Sequence, residues 1–201
     1  MINLMSVAHE VRDYLLMEDA IKGCTIYGSL STNSYDEYSD IDLEVDVSGT
    51  DNSLFIQRIP EILGTHYRII FSDYAPSFAP HDYVVSVAIS DKNPFLIVDI
   101  KCTATPHYKT LSKNDLRLII DPYQHTLKLF VANLKHYLRH EDCHKDILKM
   151  YRRIVTTKDV SLNETVMLNH TFNWLSEQAT DHYISYLKHL KPYLKLIEKD
   201  C

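Results

Sequence analysis

Tyr27-Gly28-Ser29, followed after a polar spacer by Ser39-Asp40-Ile41-Asp42-Leu43-Glu44-Val45-Asp46-Val47, decides how the first half of this chain is read. From Asp40 onward the residues alternate strictly. Ile41, Leu43, Val45 and Val47 share one face, and Asp40, Asp42, Glu44 and Asp46 share the other. That period of two predicts a half-buried strand with an acidic outer face. Just upstream, Cys24-Thr25-Ile26-Tyr27 is a shorter strand-like run that ends at Gly28-Ser29. The stretch from Ser31 to Ser39 is too polar to bury much and reads as a loop or short helix.

Working outward, Val7, Val11, Tyr14 and Leu15 follow helical spacing before the first strand. Asp51 to Leu63 suits a helix interrupted near Pro60, with Gly64 placed as its C-terminal cap. Tyr67 to Phe71, Asp82 to Ile89 and Pro94 to Lys101 read as strands. The polar turn Ser90-Asp91-Lys92-Asn93 joins the last two as an antiparallel hairpin. Leu116 to Ile120 reads as one more short strand.

After Pro122 the apolar period lengthens to about 3.6. Leu127, Phe130, Val131, Leu134 and Leu138 form one stripe, and Ile147, Tyr151 and Ile154 a second. Ser161 with Glu164 reads as a capping box opening a third helix, and Asp181 as the cap of a fourth, bent at Pro192. The expected architecture is therefore α+β: a strand-containing domain over residues 1–120, then a helical bundle over 121–201.

The chemistry concentrates in the first half. Asp40 and Asp42 are two apart on a strand, so their carboxylates leave the same face about 7 Å apart at the backbone. Asp99, in Leu96-Ile97-Val98-Asp99-Ile100, adds a third acid on a neighbouring strand, provided the hairpin register does not turn it into the core. Three hard oxygen ligands suit Mg²⁺, which keeps its other positions for water and phosphate oxygens. Gly28-Ser29 at a strand end offers backbone N–H groups and a hydroxyl to phosphate. A phosphate grip facing a magnesium-binding acid cluster points to phosphoryl or nucleotidyl transfer. Lys101 lies two residues along from Asp99 and either touches a phosphate or simply faces solvent. Glu44 and Asp46 either meet a cationic acceptor or form a solvated strand edge.

Strand, Gly28-Ser29, a spacer of about ten residues, Ser39-Asp40-Ile41-Asp42-Leu43 and a later strand bearing Asp99 together resemble the DNA polymerase beta-type nucleotidyltransferase superfamily. The resemblance covers roughly residues 20 to 102. It implies a mixed β-sheet flanked by helices, a Gly-Ser pair holding a nucleoside triphosphate (ATP foremost), and three acids binding two Mg²⁺ ions. In those terms Asp40, Asp42 and Asp99 are catalytic and metal-binding, and Gly28, Ser29 and Lys101 are nucleotide-binding.

A C-terminal helical bundle makes the layout most similar to the small antibiotic nucleotidyltransferases, which modify aminoglycosides or lincosamides. That likeness implies a small hydroxylated acceptor, a helical-domain glutamate near it (Glu141, since Glu164 is assigned to a cap), and a homodimer. Glu44 joins Glu141 as an acceptor-binding candidate. Alternatives within the same fold are an enzyme acting on a protein or RNA, of toxin–antitoxin type, and a nucleotide-binding regulatory protein without turnover.

Composition narrows the classes further. The chain has 201 residues, 45% of them hydrophobic and 24% charged, the balance of a globular protein. Against 27 acidic residues stand 21 Lys and Arg, a net charge of −6, so stable nucleic-acid binding through phosphate neutralisation is not expected. There is no apolar run of membrane-spanning length and no basic-then-apolar leader layout near Glu10, Asp13, Glu18 and Asp19. Cys24, Cys102, Cys143 and Cys201 are scattered and read as reduced thiols of a cytoplasmic protein. The chain has only 4 glycines, each expected where a side chain would not fit. His136, His140 and His144 have the i, i+4, i+8 spacing of a metal site on one helix face, a spacing that chance also supplies among 11 histidines.

Overall fold

The computed structural model describes residues 3–75, 83–155 and 162–197. They form an α+β protein with a mixed sheet flanked by helices and followed by further helices, as the sequence patterns predict. Two compact units emerge. The first comprises the described residues of Met1–Ser90 and Phe95–Ile120, and the second those of Asp91–Pro94 and Asp121–Cys201.

In the first unit, helix α1 (Leu4–Leu15) precedes β1 (Gly23–Tyr27), the single-turn α2 (Gly28–Ser31) and β2 (Ile41–Asp46). Short helices α3 (Asn52–Phe55) and α4 (Ile59–Gly64) lead to β3 (Phe71–Tyr74), β4 (Tyr83–Ala88), β5 (Ile97–Thr103) and α5 (Lys113–Ile119). The five strands are ordered β1-β2-β5-β4-β3. The β2–β5 pair is parallel and the other three are antiparallel, which makes the sheet mixed. Apolar residues of one face, including Ile41, Leu43, Val45, Val85, Val87, Val98 and Ile100, pack with Ala8, Val11 and Leu15 of α1 and with Phe55, Ile56 and Ile59. Burying this face fixes the parity of each strand, since a slip of one residue would bring Asp42 or Asp99 inside.

Several local expectations need correction. Leu116 to Ile120 is not a strand. It belongs to α5, opened by a capping box in which Ser112 Oγ accepts from the Asp115 N–H and the Asp115 carboxylate accepts from the Ser112 N–H. Pairing of the third strand begins at Ile70, whose N–H donates to the Ala88 carbonyl, so β3 is displaced toward the C-terminus and shares only Phe71 with the expected Tyr67–Phe71 run. Pro60 stands in the first turn of α4, where its missing N–H costs no helical hydrogen bond. Gly64 is the last helical residue and the cap, Thr65, is right-handed at φ −76°, so no glycine cap is used. A Cβ on Gly23 would meet nothing within 4 Å and one on Gly64 only an ordinary contact at 3.6 Å, so neither position demands glycine.

The second unit contains α6 (Pro122–Leu138), α7 (His144–Tyr151), α8 (Glu164–Gln178) and α9 (Asp181–Ile197). Leu127, Phe130, Val131, Leu134, Ile147, Met150, Met167, Leu168, Leu175, Leu187 and Leu190 are buried on the inward faces of these helices. Phe130 and Phe172 meet at 5.9 Å between ring centroids. Asn163, not Ser161, caps α8, its Oδ1 accepting from the Val166 N–H at 2.9 Å. Ser161 lies outside the described residues. Asp181 is the first helical residue of α9 rather than its cap, and the helix continues through Pro192. Among the described residues no helix is long and apolar enough to cross a membrane. Cys24, Cys102 and Cys143 are free thiols, and Cys201 lies outside the described residues.

Candidate functional site

β1 delivers the chain to Gly28, whose φ of +66° turns it sharply into α2. A side chain is disfavoured there twice over. The left-handed conformation costs an L-residue about 1–2 kcal/mol, and a Cβ would stand 2.1 Å from Asp42 Oδ2. The turn is tied by Ser31 Oγ donating to the Gly28 carbonyl at 2.8 Å and by the Ser34 N–H donating to the Ser29 carbonyl at 3.0 Å. Ser29 is half-buried behind Gly28.

The loop to β2 is organised by Asp36 and Ser39. Asp36 Oδ1 accepts from Ser39 Oγ at 2.9 Å and from the Tyr38 N–H at 3.0 Å. The Asp36 N–H returns a hydrogen bond to Ser39 Oγ at 2.9 Å. The buried Ser39 thus anchors the residue just before Asp40, and Asp40 enters the strand half-buried.

Asp42 pairs in parallel register with Asp99, placing both carboxylates side by side on the polar face of the sheet. The same transverse row extends from Tyr27 through Asp42 and Asp99 to Ser86 and Asp73, one residue from each strand. Asp99 Oδ1 accepts a hydrogen bond from Ser86 Oγ. Two residues along each strand, Lys101 Nζ meets Glu44 Oε2 at 3.0 Å, so these two candidates are occupied with each other.

The structure therefore brings Gly28, Asp42 and Asp99 together, with Asp40 immediately before the strand that carries Asp42. It does not gather all three carboxylates into one ligand shell. Among the described residues, no three His, Cys, Asp or Glu side chains converge closely enough to hold a metal ion. The donor set nonetheless fits Mg²⁺, which one or two carboxylates hold together with substrate phosphates. The space that a Cβ at position 28 would fill lies directly against Asp42 Oδ2.

The helical-unit candidates are differently engaged. Glu141 is exposed and its Oε2 bonds His136 Nδ1. Glu164 Oε1 bonds His144 Nδ1 at 2.7 Å. Its own backbone N–H, and then His144, hold its carboxyl below the usual range. The histidine spacing does not build a metal site, because α6 ends at Leu138 and His140 adopts φ +57° between two helices.

Ser86 and Asp73 escaped the sequence reading. Ser86 carries a recoverable signal, a lone hydroxyl in the otherwise apolar run Tyr83-Val84-Val85-Ser86-Val87-Ala88. Asp73 lies in a strand that propensity placed too early.

No protein-family model matches the chain, and no curated protein matches it in sequence. Among solved structures, it is similar to the "structure of GLD-2/RNP-8 complex", with a TM-score of 0.39 and 11% identity over 88% of this chain and 68% of that one.

Proposed function

We propose that this protein is a Mg²⁺-dependent nucleotidyltransferase that moves a nucleoside monophosphate from a nucleoside triphosphate, ATP foremost, to a hydroxyl of a small molecule. The observation that carries the reading is the abutment of Gly28 on Asp42, with Asp42 in register beside Asp99. A backbone without a side chain at Gly28, and the Ser29 hydroxyl, would receive the triphosphate. Asp42 and Asp99 would hold Mg²⁺, with Asp40 beside them as the third acid of the set, and the ion when bound would offset negative charge on the α-phosphate and the leaving pyrophosphate.

In the transfer the acceptor oxygen forms a bond to the α-phosphorus while the bond to the bridging oxygen breaks and pyrophosphate departs. Asp99, in register beside Asp42 on the polar face of the sheet, would take the acceptor proton. The net charge of −6 favours a cationic acceptor such as an aminoglycoside, with a lincosamide as the neighbouring class, and Glu44 would meet that acceptor only by exchanging its Lys101 partner. The helical unit, including Glu141, is assigned to acceptor binding or dimerisation.

The test is pyrophosphate release with Mg²⁺ across four nucleoside triphosphates and a panel of aminoglycosides and lincosamides, with protein and RNA acceptors run alongside. Release dependent on one such acceptor supports the reading. Release only with protein or RNA acceptors would replace the acceptor class, and triphosphate binding without any turnover would make the protein a regulatory one.

A further inference from the structure

Ser86 is 1% exposed on β4 between Val85 and Val87, both fully buried. A hydroxyl buried to that degree is destabilising unless it is hydrogen-bonded. Its proton goes to Asp99 Oδ1, directly across the antiparallel β4–β5 register. Asp99 in turn stands beside Asp42 across the parallel β2–β5 register. A carboxylate attached to a strand can still rotate about its two side-chain torsions. A fixed donor on one oxygen removes much of that freedom and commits the other oxygen to whatever lies on the polar face.

We propose that Ser86 is a positioning residue for Asp99: its hydroxyl pins Oδ1, leaving Oδ2 as the oxygen presented toward a cation shared with Asp42. The inference rests on the nucleotidyltransferase reading and deepens it, because it names a residue outside the ligand set that governs how well the set works. Partners that orient metal-ligating carboxylates typically contribute about 10–100-fold to metal affinity. The β4 backbone is held on both sides, by β5 and by β3, so the donor itself is rigid.

The experiment measures the affinity of the full chain for α,β-methylene-ATP in the presence of Mn²⁺ by calorimetry, with thermal melting as a folding control. Ser86→Ala should weaken binding about 10–100-fold. Ser86→Thr, which keeps the hydroxyl, should restore most of it, and Ser86→Cys provides a size-matched weak donor should the alanine variant fold poorly. In an Asp99→Asn background, Ser86→Ala should add little, because the coupled partner is already altered.

Unchanged affinity in a folded Ser86→Ala protein, or an equal loss with and without Asp99, would overturn the positioning role. Asp42→Asn separates the two levels. If it too leaves Mn²⁺-dependent binding untouched, the nucleotidyltransferase reading fails; if it abolishes binding while Ser86→Ala does not, only the role of Ser86 fails.

Discussion

Gly28 and Asp42 are fitted to each other: a Cβ on the glycine would lie 2.1 Å from Asp42 Oδ2, 2.9 Å from Cγ and 3.2 Å from Cβ. The turn after β1 and the start of β2 thereby share one small space. Gly28→Ala should destabilise the fold by about 1–2 kcal/mol from the left-handed backbone alone. It should lose more because the carboxylate must move. Removing that carboxylate with Asp42→Ala should return the penalty of Gly28→Ala toward the backbone value. Urea denaturation of the two single variants and the double variant measures the difference.

Lys101 and Glu44 form an ion pair at 3.0 Å that is partly open to solvent. Such pairs contribute about 0–1 kcal/mol. Lys101→Met and Glu44→Gln should each therefore change unfolding stability by less than about 1 kcal/mol. If Lys101 also contacts the triphosphate, Lys101→Met raises the KM for nucleotide while Glu44→Gln does not. Steady-state kinetics with both variants reads this directly.

Burial pushes the Cys102 thiol from its ordinary 9.0 up to about 12, and Asp46 adds to the rise. The folded protein therefore keeps this thiol neutral at pH values where the unfolded chain ionises it. Stability from this group is fully present below about pH 9 and is lost as the pH rises from there through about 12. Its limiting slope is about 1.4 kcal/mol per pH unit. Cys102→Ala should be less stable at pH 8, through the cavity it leaves, yet lose stability less steeply between pH 9 and 12. Chemical denaturation at several pH values compares the two slopes.

The acidic strand was legible because its alternation carries its own register: Ile41, Leu43 and Val45 are buried, so Asp42 and Glu44 must face away. The placement of Asp99 was legible for a related reason. A four-residue turn at Ser90–Asn93 would pair Ile89 with Pro94, whereas the hairpin pairs Ala88 with Ile97. The shift is by an even number, which preserves every face while changing who sits opposite whom. That is why the side chosen by Asp99 could be read but its partner, Ser86, could not.

Helix α5 was misread because Leu116-Arg117-Leu118-Ile119-Ile120 has strand composition. Leu118 is in fact 84% exposed, and the deciding signal lay upstream in the Ser112–Asp115 cap. The histidine spacing failed at a backbone torsion, the positive φ of His140, which residue spacing does not encode.

The central claim is a transfer of nucleoside monophosphate that depends on the carboxylates of β2 and β5. It is tested most directly by following the α-phosphorus of labelled ATP, with Mg²⁺ and an acceptor mixture, in the wild-type protein and in Asp42→Asn and Asp99→Asn. The account predicts label appearing on an acceptor with the wild type, and a loss of at least about 100-fold in both variants with folding intact. Transfer that persists undiminished in Asp42→Asn would contradict it.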